Sequence, residues 1–187
     1  DCVSNGEITI SGANNTKREY CGGIAGKSAC KIIGCDNNST GKILVTGYGR
    51  NRHVGGIVGE CSKDKTVESG KLSSCTNKAE IVVNDGRYVQ LGGIIGSYSG
   101  DQLSDIVNYG NIKLEKINEY SNATIKVGGC VGQSTSTSAA FSGVMKNTAA
   151  VTVLSGQNWP TTKAVYVGGI FGYVASSVRG LVNEGAV

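Results

Sequence analysis

The chain is poor in the residues on which most chemistry and most large cores depend. Among its 187 residues are one histidine, one methionine, one tryptophan, one proline and two phenylalanines, and charged residues make up only 17 %. A single histidine without any Cys-x-x-Cys spacing leaves no ligand cluster, so no metal is expected. No run of 18 apolar residues is present, which excludes a helix crossing a membrane. The fourteen carboxylates are scattered, with no pair recurring at a common offset, so a glycosidase or lyase site has little support. A net charge of +4 is too modest to point to nucleic acid. No window of a dozen residues carries a helical stripe, and 29 glycines would weaken any helix.

What the chain does have is repetition. A short phrase recurs five times, as CGGIAG from Cys21, VGGIVG from Val54, LGGIIG from Leu91, VGGCVG from Val127 and VGGIFG from Val167. A second column follows it: the apolar pairs Ile32/Cys35, Leu72/Cys75, Leu103/Ile106, Phe141/Val144 and Val178/Leu181. An asparagine comes next, at Asn38, Asn77, Asn108, Asn147 and Asn183, with Asn5 in the opening half-unit. A glycine or alanine and a β-branched residue complete the unit. Cys2 to Leu181 spans five repeats of about 36 residues, the mark of an array whose units pack only on their neighbours.

The segments between these corners are short, rich in Val, Ile and Thr, and alternate in part between apolar and polar residues, which predicts strands. Three strands per unit, coiled and stacked in register, give an all-β solenoid (a β-helix) of about five coils; a propeller of repeated antiparallel blades is the alternative. Asparagine suits such corners because its amide can bond to the same position one coil up. Residues 1–187 read as one repeat domain, with corners near 2–8, 35–43, 75–81, 106–112, 144–151 and 181–187. Cys2–Ile8 matches Leu181–Val187, so the chain is expected to be an excerpt of a longer array, or else to associate head to tail.

These residues carry a resemblance. The phrase x-Gly-Gly-Ile/Val-x-Gly, followed by the apolar pair and the Asn corner, resembles the GLUG repeat found in tandem in large bacterial surface and secreted proteins, some of them immunoglobulin A-cleaving metallopeptidases. It covers essentially the whole chain, departing at Cys130 and at the corner alanines Ala79 and Ala149. The resemblance implies an extracellular or cell-surface location. The peptidase activity of such proteins belongs to a separate zinc domain, and no His-Glu-x-x-His occurs here.

Cys2, Cys35 and Cys75 share a column with aliphatics, as do Cys21 and Cys130, so five of the seven thiols read as small buried hydrophobes. Cys30 and Cys61 lie off these columns and are the better disulfide pair. Gly22–Ser28 imitates a phosphate loop, but the four sister copies lack its Lys-Ser, so it reads as a corner and no nucleotide or other cofactor is expected. The run Arg50–His53 reads as a solvated basic loop. Tyr20, His53, Gln90, Lys126 and Tyr166, each just before a repeat phrase, should point outward and align as a ligand-binding stripe. Trp159, in a variable loop, is a further binding candidate.

The expected function follows from these absences and this stripe. It is a non-enzymatic surface module, a stalk or adhesin segment for attachment or ligand presentation, with no membrane insertion and no nucleic-acid partner. Its partners would be a host or neighbouring-cell protein or glycan, besides the flanking repeats of the parent chain. A carbohydrate-binding or carbohydrate-active β-helix is the alternative.

Overall fold

A computed structural model describes residues 1–12, 17–38, 40–47, 49–63, 70–117, 123–154 and 164–187. Every strand pairing among them is parallel, which makes the chain a β-solenoid and not a propeller of antiparallel blades. Each coil contributes a strand to each of four sheets. In a middle coil, sheet A holds Lys71–Asn77, sheet B Glu80–Val83, sheet C Tyr88–Gly92 and sheet D Ile95–Ser99. Sheets B, C and D are each five strands deep, the five coils expected from the repeat. The count per coil is four strands and not three, because the repeat phrase is two strands: Leu91-Gly92 closes one, Gly93-Ile94 turns, and Ile95 opens the next.

The turn is tied upward by a repeated double bond. The Ile94 carbonyl accepts the amides of Ile57 (3.0 Å) and Val58 (3.1 Å), and the Cys130 carbonyl accepts those of Ile94 (2.9 Å) and Ile95 (3.0 Å). Since the backbone makes these bonds, Cys130 keeps them where most sister copies have isoleucine, and its thiol donates to the Lys146 carbonyl at 3.2 Å.

The apolar side chains fall into two clusters. Sheets B and C enclose one, including Ile81, Val83, Val89, Leu91, Ile112 and Ile125. Sheets A and D enclose the other, including Leu72, Cys75, Ile94, Ile95, Tyr98 and Ile106. Between them runs a column of buried asparagines. Asn37 Nδ2 donates to Asn77 Oδ1 (3.1 Å), Asn77 to Asn108 (2.9 Å), Asn108 to Asn147 (2.9 Å) and Asn147 to Asn183 (3.0 Å). Each internal amide also closes its own corner: Asn108 Nδ2 donates to the Gly110 carbonyl at 2.8 Å, and Oδ1 accepts the Gly110 amide at 3.2 Å. Asn77 and Asn147 do the same with Ala79 and Ala149, so alanine is acceptable there. Such full satisfaction is what permits an amide at 0 % exposure.

The second glycine of each phrase lies directly against this column. A Cβ on Gly129 would fall 2.5 Å from Asn147 Cγ, and one on Gly23 would fall 2.6 Å from Asn37 Nδ2. The coil is therefore pinched at a waist, where the A-to-B corner touches the C-to-D corner.

Three expectations are corrected. The ladder passes through Asn37, which pairs with Asn77 and with Ser4; Asn38 and Asn5 stand one residue beyond it. The second correction concerns sheet A, where the backbone turns left-handed at Gly34, Ser74, Asp105, Gly143 and Gly180. In the fifth coil an extra residue enters there. Phe141 still faces Leu103, but Met145 and not Val144 faces Ile106, so Val144 is expelled to solvent at 48 % exposure. The cysteines are also sorted differently. All seven are free, and Cys61 is buried in the A–D cluster on the column of Tyr98, in register with Ser28. Cys2, in an end tier, and Cys30 are exposed.

Replacing Asn108 with alanine orphans groups on Asn77, Asn147 and Gly110, at about 1–3 kcal/mol for each buried partner left unpaired. Urea unfolding should show a loss of about 3 kcal/mol or more for Asn108→Ala and distinctly less for Asn183→Ala, at the exposed end of the ladder; equal losses would contradict the ladder. Burial pushes the thiols of Cys21 and Cys75 up to about 11 and those of Cys61 and Cys130 up to about 12. Because Cys2 and Cys30 are exposed and the other five thiols are buried, a disulfide-exchange reagent at neutral pH should titrate those two promptly and the five only on unfolding.

Candidate functional site

The outward column expected from the sequence exists. Tyr20 pairs with His53, His53 with Gln90, Gln90 with Lys126 and Lys126 with Tyr166, in unbroken register along sheet C. Sheet D carries a second column, which the sequence reading missed: Lys27, Glu60, Ser97, Gln133 and Tyr173. A signal for it was present. Each of these residues directly follows the last glycine of its phrase, seven positions after its partner in the first column.

The third glycine makes the two columns face each other. A Cβ on Gly59 would lie 2.6 Å from the His53 carbonyl oxygen, and one on Gly132 would lie 2.5 Å from the Leu91 nitrogen. With only hydrogen at these positions, the backbone of sheet D rests on that of sheet C. The outer faces of the two sheets then form the walls of a groove of about 400 Å³. Sheet C lines it with Arg18, Asn51, His53, Tyr88 and Gln90; Glu60, Ser97, Ser99, Gln133 and Thr135 line the other wall.

Near the first coils the groove holds a small charged network. Glu60 lies 2.7 Å from Lys27 Nζ and 2.9 Å from His53 Nδ1. Tyr20 packs edge-on against His53, ring centres 5.2 Å apart, with the Lys27 ammonium 5.3 Å over its ring. Burial lowers the His53 pKa below its ordinary 6.5, outweighing the Glu60 charge that works the other way; Arg18 and Lys27 add to the lowering. The imidazole is thus held neutral at pH 7.

Toward the last coil the character changes. Lys126 donates to Gln133 Oε1 and holds its ammonium 4.2 Å from the Tyr173 ring centre, while Tyr173 meets Tyr166 edge to face at 5.9 Å. Burial lowers the Lys126 pKa as well. Between the two ends stand Gln90 and Ser97. The Gln90 Oε1 is buried and finds no hydrogen-bond partner among the described residues.

The basic run does not form a solvated loop. Asn51–Gly55 is a strand, and Arg52 points into the core at 0 % exposure, in the column of Val89 and Ile125. Its guanidinium is met by Glu19 at 2.8 Å, by the carbonyls of Thr46 (2.9 Å) and Gly47 (2.8 Å), and by that of Asp85. A charge so enclosed ties the first three coils together and steers nothing outside. The phosphate-loop imitation is a strand–corner–strand, with its lysine paired to Glu60. Trp159 lies outside the described residues.

No protein-family model, curated protein or solved structure matches the chain.

The depressed pKa of His53 has a consequence for stability. The unfolded chain takes up a proton at its ordinary pKa of 6.5, whereas the folded chain resists until lower pH. The stability that neutral His53 contributes is complete above that value and falls as pH drops through it. Urea midpoints measured from pH 8 to 5.5 should decline more steeply for the wild type than for His53→Gln. Parallel curves would show that His53 is not held neutral.

Proposed function

We propose that the chain is a non-enzymatic module of a secreted or cell-surface protein, a stiff segment that presents a ligand-binding groove for attachment. The observation that carries this reading is the pair of facing columns, Tyr20 to Tyr166 and Lys27 to Tyr173, running the length of the rod. A solenoid whose inner columns are devoted to stacking leaves its outer columns free to vary, and these vary among amides, hydroxyls, charges and rings. The resemblance of the repeats to GLUG arrays supports the extracellular setting.

Attachment is favoured over cleavage by the groove's acids. Glycoside cleavage uses two carboxyl groups roughly 5–9.5 Å apart. Among the described residues lining the groove, Glu60 alone bears one, and it is already engaged by Lys27 and His53.

Beads coated with the protein should be retained on intact host or bacterial cells several-fold better than beads carrying the double variant Gln90→Ala/Tyr166→Ala. Circular dichroism would confirm that both proteins are folded. Equal retention of the two on every cell type tried would overturn the attachment role of this groove.

A further inference from the structure

We propose that the groove accommodates a linear, uncharged oligosaccharide lying along the rod, about one sugar per coil, with its end stacked on Tyr166 and Tyr173. The proposal rests on the ligand-presenting role above and names the ligand's chemistry.

The walls are faces of sheets, not edges. Their backbone amides and carbonyls are used in the parallel ladders between coils, so an extended peptide would find no backbone partner there. Recognition falls to side chains. Those in the middle of the groove are the amides of Asn51, Gln90 and Gln133 and the hydroxyls of Ser97 and Ser99. Amides and hydroxyls both donate and accept, as a ligand built of hydroxyl groups requires. The buried, unpartnered Gln90 Oε1 sits on the Tyr20–Tyr166 column and lacks a donor, which a sugar hydroxyl would supply.

Charge argues the same way. Glu60, the carboxylate of the groove, is matched by Lys27 at 2.7 Å, the Lys126 ammonium is occupied by Gln133 and the Tyr173 ring, and the Arg18 guanidinium on the groove's sheet C wall is hydrogen-bonded to Tyr20. An ionic ligand would have to break these pairs; a neutral one leaves them intact. Geometry supplies the repeat. Successive coils in a parallel stack lie about 4.8 Å apart, close to the length of one pyranose in an extended chain. At the far end Tyr166 and Tyr173 are 42 % and 38 % exposed, and aromatic faces pack well on the apolar face of a sugar ring.

The test is calorimetric titration of the whole chain with linear oligomers of glucose, mannose and N-acetylglucosamine, two to six units long. For at least one series, Kd should tighten with each added unit up to about five and then level off, the depth of the sheets. Tyr166→Ala, Tyr173→Ala and Gln90→Ala should each weaken it several-fold, with thermal unfolding confirming that each variant is folded. Thr152→Ala, on the exposed face of sheet B, should leave it unchanged. The proposal is overturned if no series binds, if affinity ignores length, or if the three groove variants bind as the wild type does. It is also overturned if only acidic oligosaccharides bind, with an affinity that collapses in salt, or if an extended polar peptide binds in their place. Cells retained by coated beads without sugar binding would remove the sugar and leave the attachment role. Sugar binding without cell retention would do the reverse.

Discussion

The asparagine column is the interaction on which the rest of the molecule depends. An amide buried between two apolar clusters is costly unless every donor and acceptor on it is used. Here each internal asparagine spends one N–H and one lone pair on the coils above and below, and the others on its own corner. This arrangement works in one register. A slip of a single residue would bury several unpaired amides at once, so the ladder selects the register that the interchangeable aliphatics could not select alone.

The waist follows from the ladder. Because Asn77, Asn108 and Asn147 occupy the middle of the coil, the opposite corner must pass over them with no side chain, and the second glycine of each phrase meets that need. The coil is thereby divided into two lobes, and a two-lobed coil has a re-entrant angle outside. The third glycine lets the walls of that angle close. The groove is therefore a by-product of how the core is stacked, and its lining runs over successive coils from Arg18 to Thr135.

Local departures show where the stack tolerates error. Cys130 stands where most sister copies have isoleucine, and its backbone keeps the repeated bonds. The residue inserted before Met145 is expelled as Val144, since the ladder three positions later will not shift to accommodate it. Arg52 is a more expensive exception. A guanidinium takes a valine's place in the core, and Glu19 with three carbonyls replaces the water it has lost.

The repeat by itself determined the architecture. Recurring glycines, aliphatic columns and asparagines at a common period leave little but a stacked coil, and outward alternation correctly aligned Tyr20 with Tyr166 through His53, Gln90 and Lys126. Four matters were decided only in three dimensions. They are the splitting of the phrase into two strands, the ladder through Asn37 instead of Asn38, the burial of Arg52 and Cys61, and the second wall from Lys27 to Tyr173. Each turns on what lies across the coil or one coil away. A linear pattern reports which residues are alike in successive copies, but not which of two adjacent asparagines meets a neighbour's amide. Nor does it report that two sheet faces, seven residues apart, have been folded into opposite sides of one groove.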